Sequence, residues 1–179
     1  HRHYRRQRQM CIRDSPEGTY TEGTSSDGVT SATTDGFAIG GSLDYINANT
    51  NTYVAWCWRA NGGTTATNTD GALTSTVQAN QAAGFSISLY SSNGSGQSFG
   101  HGLGATPDFF MVKKRLDQDR KWIGWHKGLT TSTTGYVFWS ESNGEQNDTL
   151  WNNTAPSSTV INVKSNTTEV NNPSGASYV

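Results

Sequence analysis

The chain has 179 residues and a formal net charge of −1, and its length predicts one globular domain with a fragment of a second. Thr, Ser, Asn and Gly together make up 79 residues, an excess that disfavours long helices because these residues favour turns and extended chain. The 19 aromatic side chains argue against a disordered chain, and no apolar run approaches the roughly 18 residues of a membrane-spanning helix.

The first fifteen residues, His1–Ser15, differ from the rest of the chain. They hold five Arg and one Asp, and no apolar segment of the kind found in a secretory signal follows them. The string HRHYRRQRQMCIRDS, and MCIRDS in particular, resembles read-through translation of sequencing-adapter DNA at the edge of an assembled metagenomic fragment. We therefore expect residues 1–15 to be artefactual. A genuine basic arm for nucleic acid or an anionic surface is the alternative.

Short strands are predicted along the remaining chain. Thr52–Trp58 (TYVAWCW) is apolar on both faces, which predicts a strand buried between two layers. Ala60–Thr69 is a polar loop, and Leu73–Ala83 is expected to be a strand followed by a short helical turn. Phe85–Tyr90 alternates, which predicts that its apolar side chains point inward and its serines outward. The other predicted strands are Gln97–Leu103, Asp108–Lys114, Trp122–His126, Tyr136–Ser140, Thr149–Trp151 and Val160–Val163.

About ten short strands separated by turn residues predict an all-β fold. The expected form is an antiparallel two-sheet sandwich of the jelly-roll or concanavalin-like kind, with little helix. The residues expected to contribute to its core are Phe37, Tyr53, Trp56, Phe85, Ile87, Phe109, Met111, Trp125, Phe138 and Val163.

An offset repeat indicates how the chain is organised. The pattern around Ile39 and Tyr53 recurs around Val163 and Tyr178, at offsets of 124 and 125 residues. Residues 16–58 are therefore expected to be the C-terminal part of a preceding repeat, and residues 59–179 a main β-sandwich domain truncated at its final strand. We expect the strand at Tyr53–Trp58 to dock into the main sandwich and bury Trp56 or Trp58.

Several motifs of the chain resemble a known family. They are TYVAWCWRANGG, AGFSISLYSSNGSG, GHGLGATPDFFMVKKR, the Trp122–His126 segment and LWNNTAPSSTVINV. These motifs are similar to an uncharacterised tandem-repeat domain of marine tailed-phage tail and tail-fibre structural proteins, which is usually likened to concanavalin-A-like lectin and glucanase sandwiches. The resemblance covers most of the chain from Gly36 to Val179.

The resemblance implies a location and a role, and it supplies no catalytic residues. We expect a non-catalytic structural or adhesion module of a phage tail fibre or appendage, located in the virion and assembled in the host cytoplasm. The expected partners are other tail proteins or neighbouring repeats, with host-surface glycan as a ligand. Neither nucleic acid nor a membrane is an expected partner.

A glycan site would combine an aromatic face with amide and carboxylate groups. Asp148, Trp151, Asn152 and Asn153 have this composition and are the candidate ligand-binding residues. Ordinary core packing is the favoured alternative for Trp151.

A glycan depolymerase is the alternative function. It would require two carboxyl groups about 5–9.5 Å apart in a cleft. Glu141 and Glu145 are the nearest candidates, but Asn143-Gly144 lies between them and predicts a surface turn. No enzyme activity is therefore expected.

The other chemistry-bearing residues give weaker patterns. His101 in GHGLG is expected to pack or to hydrogen-bond at a tight bend, and Cys57 to be a small buried apolar side chain. Lys113–Lys127 carries six basic residues, for which a salt-bridged hairpin is favoured over a nucleic-acid surface. No cofactor is expected. The acidic residues that could supply oxygen ligands to Ca²⁺ lack regular spacing; they are Asp70, Asp117, Asp119 and Asp148.

Overall fold

The fold is all-β and antiparallel, as predicted. The computed structural model describes residues 26–41, 46–60, 64–95, 97–116, 120–139, 141–172 and 175–179. The basic segment His1–Ser15 and the loop residues Asp117 and Asp119 lie outside these ranges. The helical structure of the described residues is two short 3-10 helices, Gln81–Ala83 and Thr149–Trp151.

Twelve strands make up the described fold. They are β1 Val29–Ala32, β2 Phe37–Ile39, β3 Ala66–Asn68, β4 Ser75–Asn80, β5 Phe85–Ser91, β6 Ser98–Gly100, β7 Phe109–Val112, β8 Ile123–His126, β9 Gly135–Phe138, β10 Gln146–Asn147, β11 Val160–Asn162 and β12 Ser177–Tyr178.

A long sheet and a short sheet form the two layers. The long sheet consists of two ladders, one with the order β3-β4-β5-β12 and one with the order β7-β8-β9-β10. An antiparallel bridge between Lys114 and Tyr178 joins the two ladders, so that β12 lies between β5 and β7. The pair β6-β11 forms the second layer, and β1-β2 is a separate hairpin. The Tyr90 ring of β5 stacks on Phe99 of β6 with centroids 4.2 Å apart, which places the core between the layers.

The core has a different membership from the one that the sequence predicts. Its buried apolar residues are Leu73, Tyr90, Phe99, Val112, Ile123, Trp125, Leu150, Trp151, Ile161, Val163, Val170 and Tyr178. Of the ten residues predicted for the core, Trp125 and Val163 are buried, and Phe37, Phe85, Ile87 and Phe138 are half-buried. The other four, Tyr53, Trp56, Phe109 and Met111, are exposed.

Strand β5 has the predicted alternation, but its faces are reversed. Tyr90 is buried in the core, and alternate residues of a strand share a face. Ser86 and Ser88 therefore lie on the core face with Tyr90, while Phe85 and Ile87 lie on the opposite face. The prediction that the apolar residues of β5 point inward is wrong, because one large aromatic ring decides which face is buried.

The segment predicted as the strongest strand forms none. Residues 51–60 have no ladder among the described residues, and the exposed fractions of Trp56 and Trp58 are 77% and 67%. Trp58 contacts the main sandwich through its ring, which stacks on Phe85 with centroids 6.1 Å apart. The expected docking of Tyr53–Trp58 into its own sandwich is therefore wrong. Both faces of this segment are apolar, but no sheet edge of the described fold lies alongside it.

Candidate functional site

An open cleft of about 440 Å³ lies at the β3–β4 end of the long sheet. Its walls come from β3, β4, the 3-10 helix that follows β4, and the loop after β6. The residues lining it are Thr64, Thr65, Ala66, Val77, Ala79, Asn80, Gln81 and Gly102. Strands β3 and β4 are joined in register from Ala66 opposite Val77 to Asn68 opposite Ser75, which fixes one wall.

Local capping positions the polar side chains of the cleft. The Asn80 side-chain oxygen accepts a hydrogen bond from the Ala83 backbone N–H at 3.1 Å and so caps the short helix. The Asn80 amide also donates to the Arg59 carbonyl at 3.1 Å. Gly84 then ends the helix in the left-handed conformation, at φ 65°. The cleft wall at Asn80 and Gln81 is therefore rigidly held.

The floor of the cleft depends on a glycine. Gly102 has φ 71°, and a Cβ atom built there would lie 3.2 Å from Val77 Cγ2 and 3.3 Å from Ala79 Cβ. Gln81 Nε2 donates to the Gly102 carbonyl at 3.0 Å, which joins the helix to the floor. The GHGLG motif is thus a bend, as its glycines predict, and the atoms packed against Gly102 are the side chains of Val77 and Ala79 and not backbone.

His101 stabilises this bend through hydrogen bonds. Its side chain is buried, its Nε2 lies 3.2 Å from the Ser157 carbonyl, and its Nδ1 accepts from the Leu103 backbone N–H at 3.3 Å. These two partners require Nε2 to carry the proton of a neutral ring. Burial lowers the pKa of His101 and maintains that neutral form. His101 is a structural residue of the loop, in agreement with the sequence prediction.

The chemistry of the cleft is that of uncharged hydrogen-bonding groups. Its lining offers the hydroxyls of Thr64 and Thr65, the amides of Asn80 and Gln81, and backbone groups, with no ionisable side chain among the lining residues. Such a surface can bind a neutral, hydroxyl-rich ligand through several hydrogen bonds. It contains no acid–base pair for hydrolysis.

The four residues predicted to bind glycan have local structural roles. Trp151 is 1% exposed, and its Nε1 donates to the Gly135 carbonyl at 2.9 Å, so its ring presents no face to a ligand. Asp148 caps the helix Thr149–Trp151, and the Thr149 backbone N–H lowers the pKa of its carboxyl. For Trp151, the favoured alternative of core packing is correct.

The two asparagines after Trp151 shape a turn. Asn152 and Asn153 both adopt the left-handed conformation, with φ 52° and 51°. Asn152 Nδ2 donates to Gln97 Oε1 at 3.1 Å, which ties the turn to the segment before β6. The segment Thr149–Trp151 is a helical turn and the strand prediction is wrong, because Asp148 and Asn152 cap it at both ends.

Glu141 and Glu145 lie in the loop between β9 and β10, and their carboxyl groups interact with different parts of the protein surface. Glu145 accepts hydrogen bonds from the Thr130 backbone N–H at 2.9 Å and from Thr131 at 3.2 Å. The Thr130 N–H lowers the pKa of Glu145, whereas a general acid needs a raised pKa. Glu141 forms an ion pair with Lys121. Neither carboxyl lines the cleft.

The basic residues of the β7–β8 hairpin are mostly engaged with carboxylates or rings. Lys121 pairs with Glu141, Lys127 pairs with Asp108 at 2.9 Å, and Arg120 pairs with Glu169 at 3.5 Å. Lys113 is fully buried, with its Nζ 5.7 Å from the centre of the Trp122 ring. The hairpin itself is antiparallel, with Phe109 opposite His126. The hairpin is present, and of these three ion pairs Lys127–Asp108 lies within it; the loop residues Asp117 and Asp119, which also supported the prediction, lie outside the described residues.

The described residues contain no group of three or more His, Cys, Asp or Glu side chains arranged to hold a metal ion. Asp70 accepts from Asn68 Nδ2 at 2.9 Å and Asp148 pairs with Lys164 at 3.5 Å, so these two carboxylates lie in separate local networks. Cys57 is exposed and is a free thiol. The expectation that Cys57 is a small buried side chain is wrong, because its segment does not join a sheet.

The sequence did not single out the cleft. Its polar residues come from Thr64-Thr65 and Asn80-Gln81, which are ordinary loop and cap residues in a chain with 24 Thr and 15 Asn. The available signal was the strand-to-turn pattern that ends at Gly84, but it indicates a cap and gives no information on a cleft. The third wall, at Gly102, comes from a distant part of the sequence.

Comparisons with known proteins give one family. Residues 5–179 match the family described as a domain of unknown function, DUF7483, and this range begins inside the basic segment His1–Ser15. Searches of the curated proteins and of the solved structures gave no match. Within the described residues, no helix has the length and apolar character needed to cross a membrane. The match spans nearly the whole chain, and the protein therefore belongs to the DUF7483 family.

Proposed function

We propose that the chain is a non-catalytic structural and adhesion module of a phage tail fibre or appendage, and that it binds host-surface glycan in the β3–β4 cleft. The all-β sandwich supports this role, since such folds present loops and clefts on a rigid scaffold. The resemblance of its sequence motifs to a domain of marine tailed-phage tail proteins supports the virion location and the concanavalin-like comparison.

The observation that carries the glycan proposal is the uncharged polar lining of the cleft. Thr64, Thr65, Asn80 and Gln81 present hydroxyls and amides on a wall held by capping and by the Gln81–Gly102 hydrogen bond. Pre-positioned neutral groups suit sugar hydroxyls, because little conformational entropy is lost when the ligand binds.

A glycan array followed by calorimetry tests this site. Thr65→Val removes one hydroxyl from the cleft, and we expect roughly two- to tenfold weaker binding, the effect of one neutral hydrogen bond. Thr67→Val is the matched control, because Thr67 is an exposed threonine of β3 that does not line the cleft. Equal losses in the two variants, or no glycan bound by the native chain, would contradict the proposal.

Two further measurements test the other parts of the proposal. Mass spectrometry of purified phage particles should detect this chain within a structural protein of the virion, and its absence from particles that carry the gene would overturn the location.

Incubation of the chain with host polysaccharide should release no new reducing ends. Release that disappears in Glu141→Gln would replace the adhesion proposal with the depolymerase alternative.

A further inference from the structure

The tripeptide Ser-Asn-Gly occurs twice in the chain, as Ser92–Gly94 and as Ser142–Gly144. In an Asn-Gly pair, the backbone nitrogen of the glycine can attack the side-chain carbonyl carbon of the asparagine, and the missing Cβ atom leaves that approach open. Because the two copies share their local sequence, a difference in reactivity between them in the folded protein must come from the fold. A third pair, Asn61-Gly62, lies outside the described residues.

In the first copy, the attacking nitrogen is enclosed. Gly94 is buried, and its backbone N–H donates to Asn171 Oδ1 at 3.2 Å. The Gly94 carbonyl accepts from the Asn166 backbone N–H at 3.1 Å, so the backbone is fixed on both sides. An attack on Asn93 requires the N–H to leave its buried acceptor. The cost of that step slows the reaction by at least about fivefold.

In the second copy, the attacking nitrogen is open. Asn143 and Gly144 are both exposed, in the loop between β9 and β10. Nothing lies within 4 Å of the Cβ position of Gly144, and its N–H has no hydrogen-bond acceptor among the described residues. The Gly144 carbonyl accepts from Gln146 Nε2 at 3.0 Å, a side chain two residues along the same loop. The Gly144 nitrogen is therefore free to approach the asparagine side chain.

The asparagine side chains themselves are held in comparable ways. Asn143 Nδ2 donates to Glu141 Oε2 at 2.8 Å, and Asn93 Oδ1 accepts from the Ser95 backbone N–H at 2.9 Å. Each side-chain amide thus has a partner two residues away. The difference between the two sites lies in the glycine nitrogen, which is buried and hydrogen-bonded in one copy and exposed in the other.

We propose that Asn143 is a modification site that loses its side-chain amide through a succinimide, and that the fold protects Asn93 from the same reaction. The Gly144 nitrogen gives up its proton and bonds to Asn143 Cγ. The Cγ–Nδ2 bond breaks, and Nδ2 leaves as ammonia with that proton. Water then opens the ring at either carbonyl, which gives aspartate or isoaspartate. The net reaction consumes one water and releases one ammonia.

The product carries a new carboxylate beside Glu141. That residue now has Asn143 and Lys121 as partners, and Lys121 Nζ also lies 4.7 Å from the centre of the Phe138 ring. Loss of the amide removes one donor from Glu141 and leaves Lys121 as the cation shared by two carboxylates. The ion pair lies near the surface, where such pairs contribute little to stability. The modification therefore changes the charge of this loop and leaves the fold intact.

Incubation of the full chain at mildly alkaline pH, with and without urea, tests the proposal. Peptide mapping by mass spectrometry follows Asn143 and Asn93 in the same samples, through the mass increase when NH₂ is replaced by OH. In the folded chain, we expect Asn143 to react at least about fivefold faster than Asn93. In urea the two rates should become similar, because only the shared Ser-Asn-Gly sequence then remains.

Each result of the incubation decides the proposal. Equal rates at the two sites in the folded chain would overturn it. A difference of the same size in urea would assign the effect to local sequence and would also overturn it. So would an Asn143 that reacts in urea but stays intact in the folded chain.

A change at the glycine tests the succinimide route. In Gly144→Val, the β-branched side chain crowds the attacking nitrogen. The fold can accept this side chain, because the Cβ position is open and Gly144 does not have a positive φ. We expect Asn143 to become stable while the rate at Asn93 is unchanged. Ser142→Val is the matched control, since it adds the same side chain on the other side of Asn143 and should leave the reaction unchanged. Loss of the amide at the native rate in Gly144→Val would overturn the proposed route.

Asn143→Asp tests the effect of the new charge. We expect stronger retention on an anion-exchange column than for Asn143→Ser, which removes the donor without adding a charge. The urea midpoint and the far-ultraviolet circular dichroism of both variants should match those of the native chain. Unfolding of Asn143→Asp alone would contradict the stated effect on the loop. None of these results affects the glycan proposal, because neither Asn143 nor Gly144 lines the β3–β4 cleft.

Discussion

Tyr178 of β12 stacks on Tyr90 of β5, with ring centroids 5.1 Å apart and planes 10° from parallel. The same residues lie opposite each other in the β5–β12 ladder. Each hydroxyl also reaches a distant loop: Tyr90 donates to the Val170 carbonyl at 2.7 Å and Tyr178 to the Thr168 carbonyl at 2.8 Å. The pair therefore ties the loop before β12 to the centre of the sheet.

Removing one of these hydroxyls should destabilise the fold. Tyr90→Phe leaves the buried Val170 carbonyl without its donor, and we expect a loss of about 1–3 kcal/mol in the free energy of unfolding. Tyr136→Phe is the control, because no hydrogen bond of its hydroxyl occurs among the described residues. Urea titration of both variants gives the comparison, and equal stability of the two would contradict the role assigned to Tyr90.

Stability should also fall at alkaline pH. Burial raises the pKa of Tyr178 to about 12, whereas in the unfolded chain it is about 10. Between these values the unfolded chain has released the proton that the folded chain retains, so stability decreases as the pH rises. We expect Tm to fall between pH 10 and 12, and to fall less in Tyr178→Phe. Identical pH profiles for the two proteins would argue against this tyrosine as the cause.

Because of His101, the stability of the fold should decrease as the pH falls into the acid range. Burial lowers its pKa in the folded protein, while the unfolded chain takes up a proton below a pH of about 6.5. The stability due to the neutral ring is complete above that pH and decreases as the pH falls. We expect the Cε1 proton of His101 in NMR spectra to titrate below that of a model peptide. A titration at or above pH 6.5 would contradict the burial of the ring.

The local pattern of the sequence predicts the elements that carry their own caps. The run Leu73–Ala83 predicts a strand and a helical turn, and the structure has β4 followed by the helix Gln81–Ala83. The reason is local, since Asn80 caps that helix and Gly84 ends it. The strands β5, β7, β8, β9 and β11 are likewise predicted within a few residues.

Elements that depend on a distant neighbour are not predictable in this way. Val54–Trp58 has the composition of a strand but no sheet edge beside it within the described fold, while the polar residues Ala66–Asn68 form β3 because β4 lies alongside. Which face of β5 is buried depends on the stacking of the Tyr90 ring on Phe99 of the other layer. No local sequence pattern predicts the cleft, because its walls form only when β3, β4 and the Gly102 bend come together in the fold.

Gly71 should tolerate no side chain. A Cβ atom there would lie 2.6 Å from Phe99 Cα and 2.6 Å from the Ser98 carbonyl, and backbone cannot yield as a flexible side chain can. We expect Gly71→Ala to cost about 1–3 kcal/mol of stability, the usual range for overpacking. Gly144→Ala is the control, because nothing lies within 4 Å of its Cβ position. Thermal unfolding of both variants gives the measurement, and a neutral Gly71→Ala would show that β6 does not approach Gly71 so closely.

Trp151 should contribute to stability and not to ligand binding. Its indole is 1% exposed, packs edge-on against Phe110 with centroids 4.8 Å apart, and donates to the Gly135 carbonyl at 2.9 Å. Trp151→Phe removes that donor and leaves a small void, so we expect a loss of about 2–4 kcal/mol. Trp139→Phe is the matched control, because Trp139 is 51% exposed, and it should change stability by less than about 1 kcal/mol. Denaturant titration followed by far-ultraviolet circular dichroism measures both.

Glycan affinity measured on folded Trp151→Phe should equal that of the native chain, because the ring has no face open to a sugar. A selective loss of glycan affinity with unchanged stability would instead assign Trp151 to the binding site.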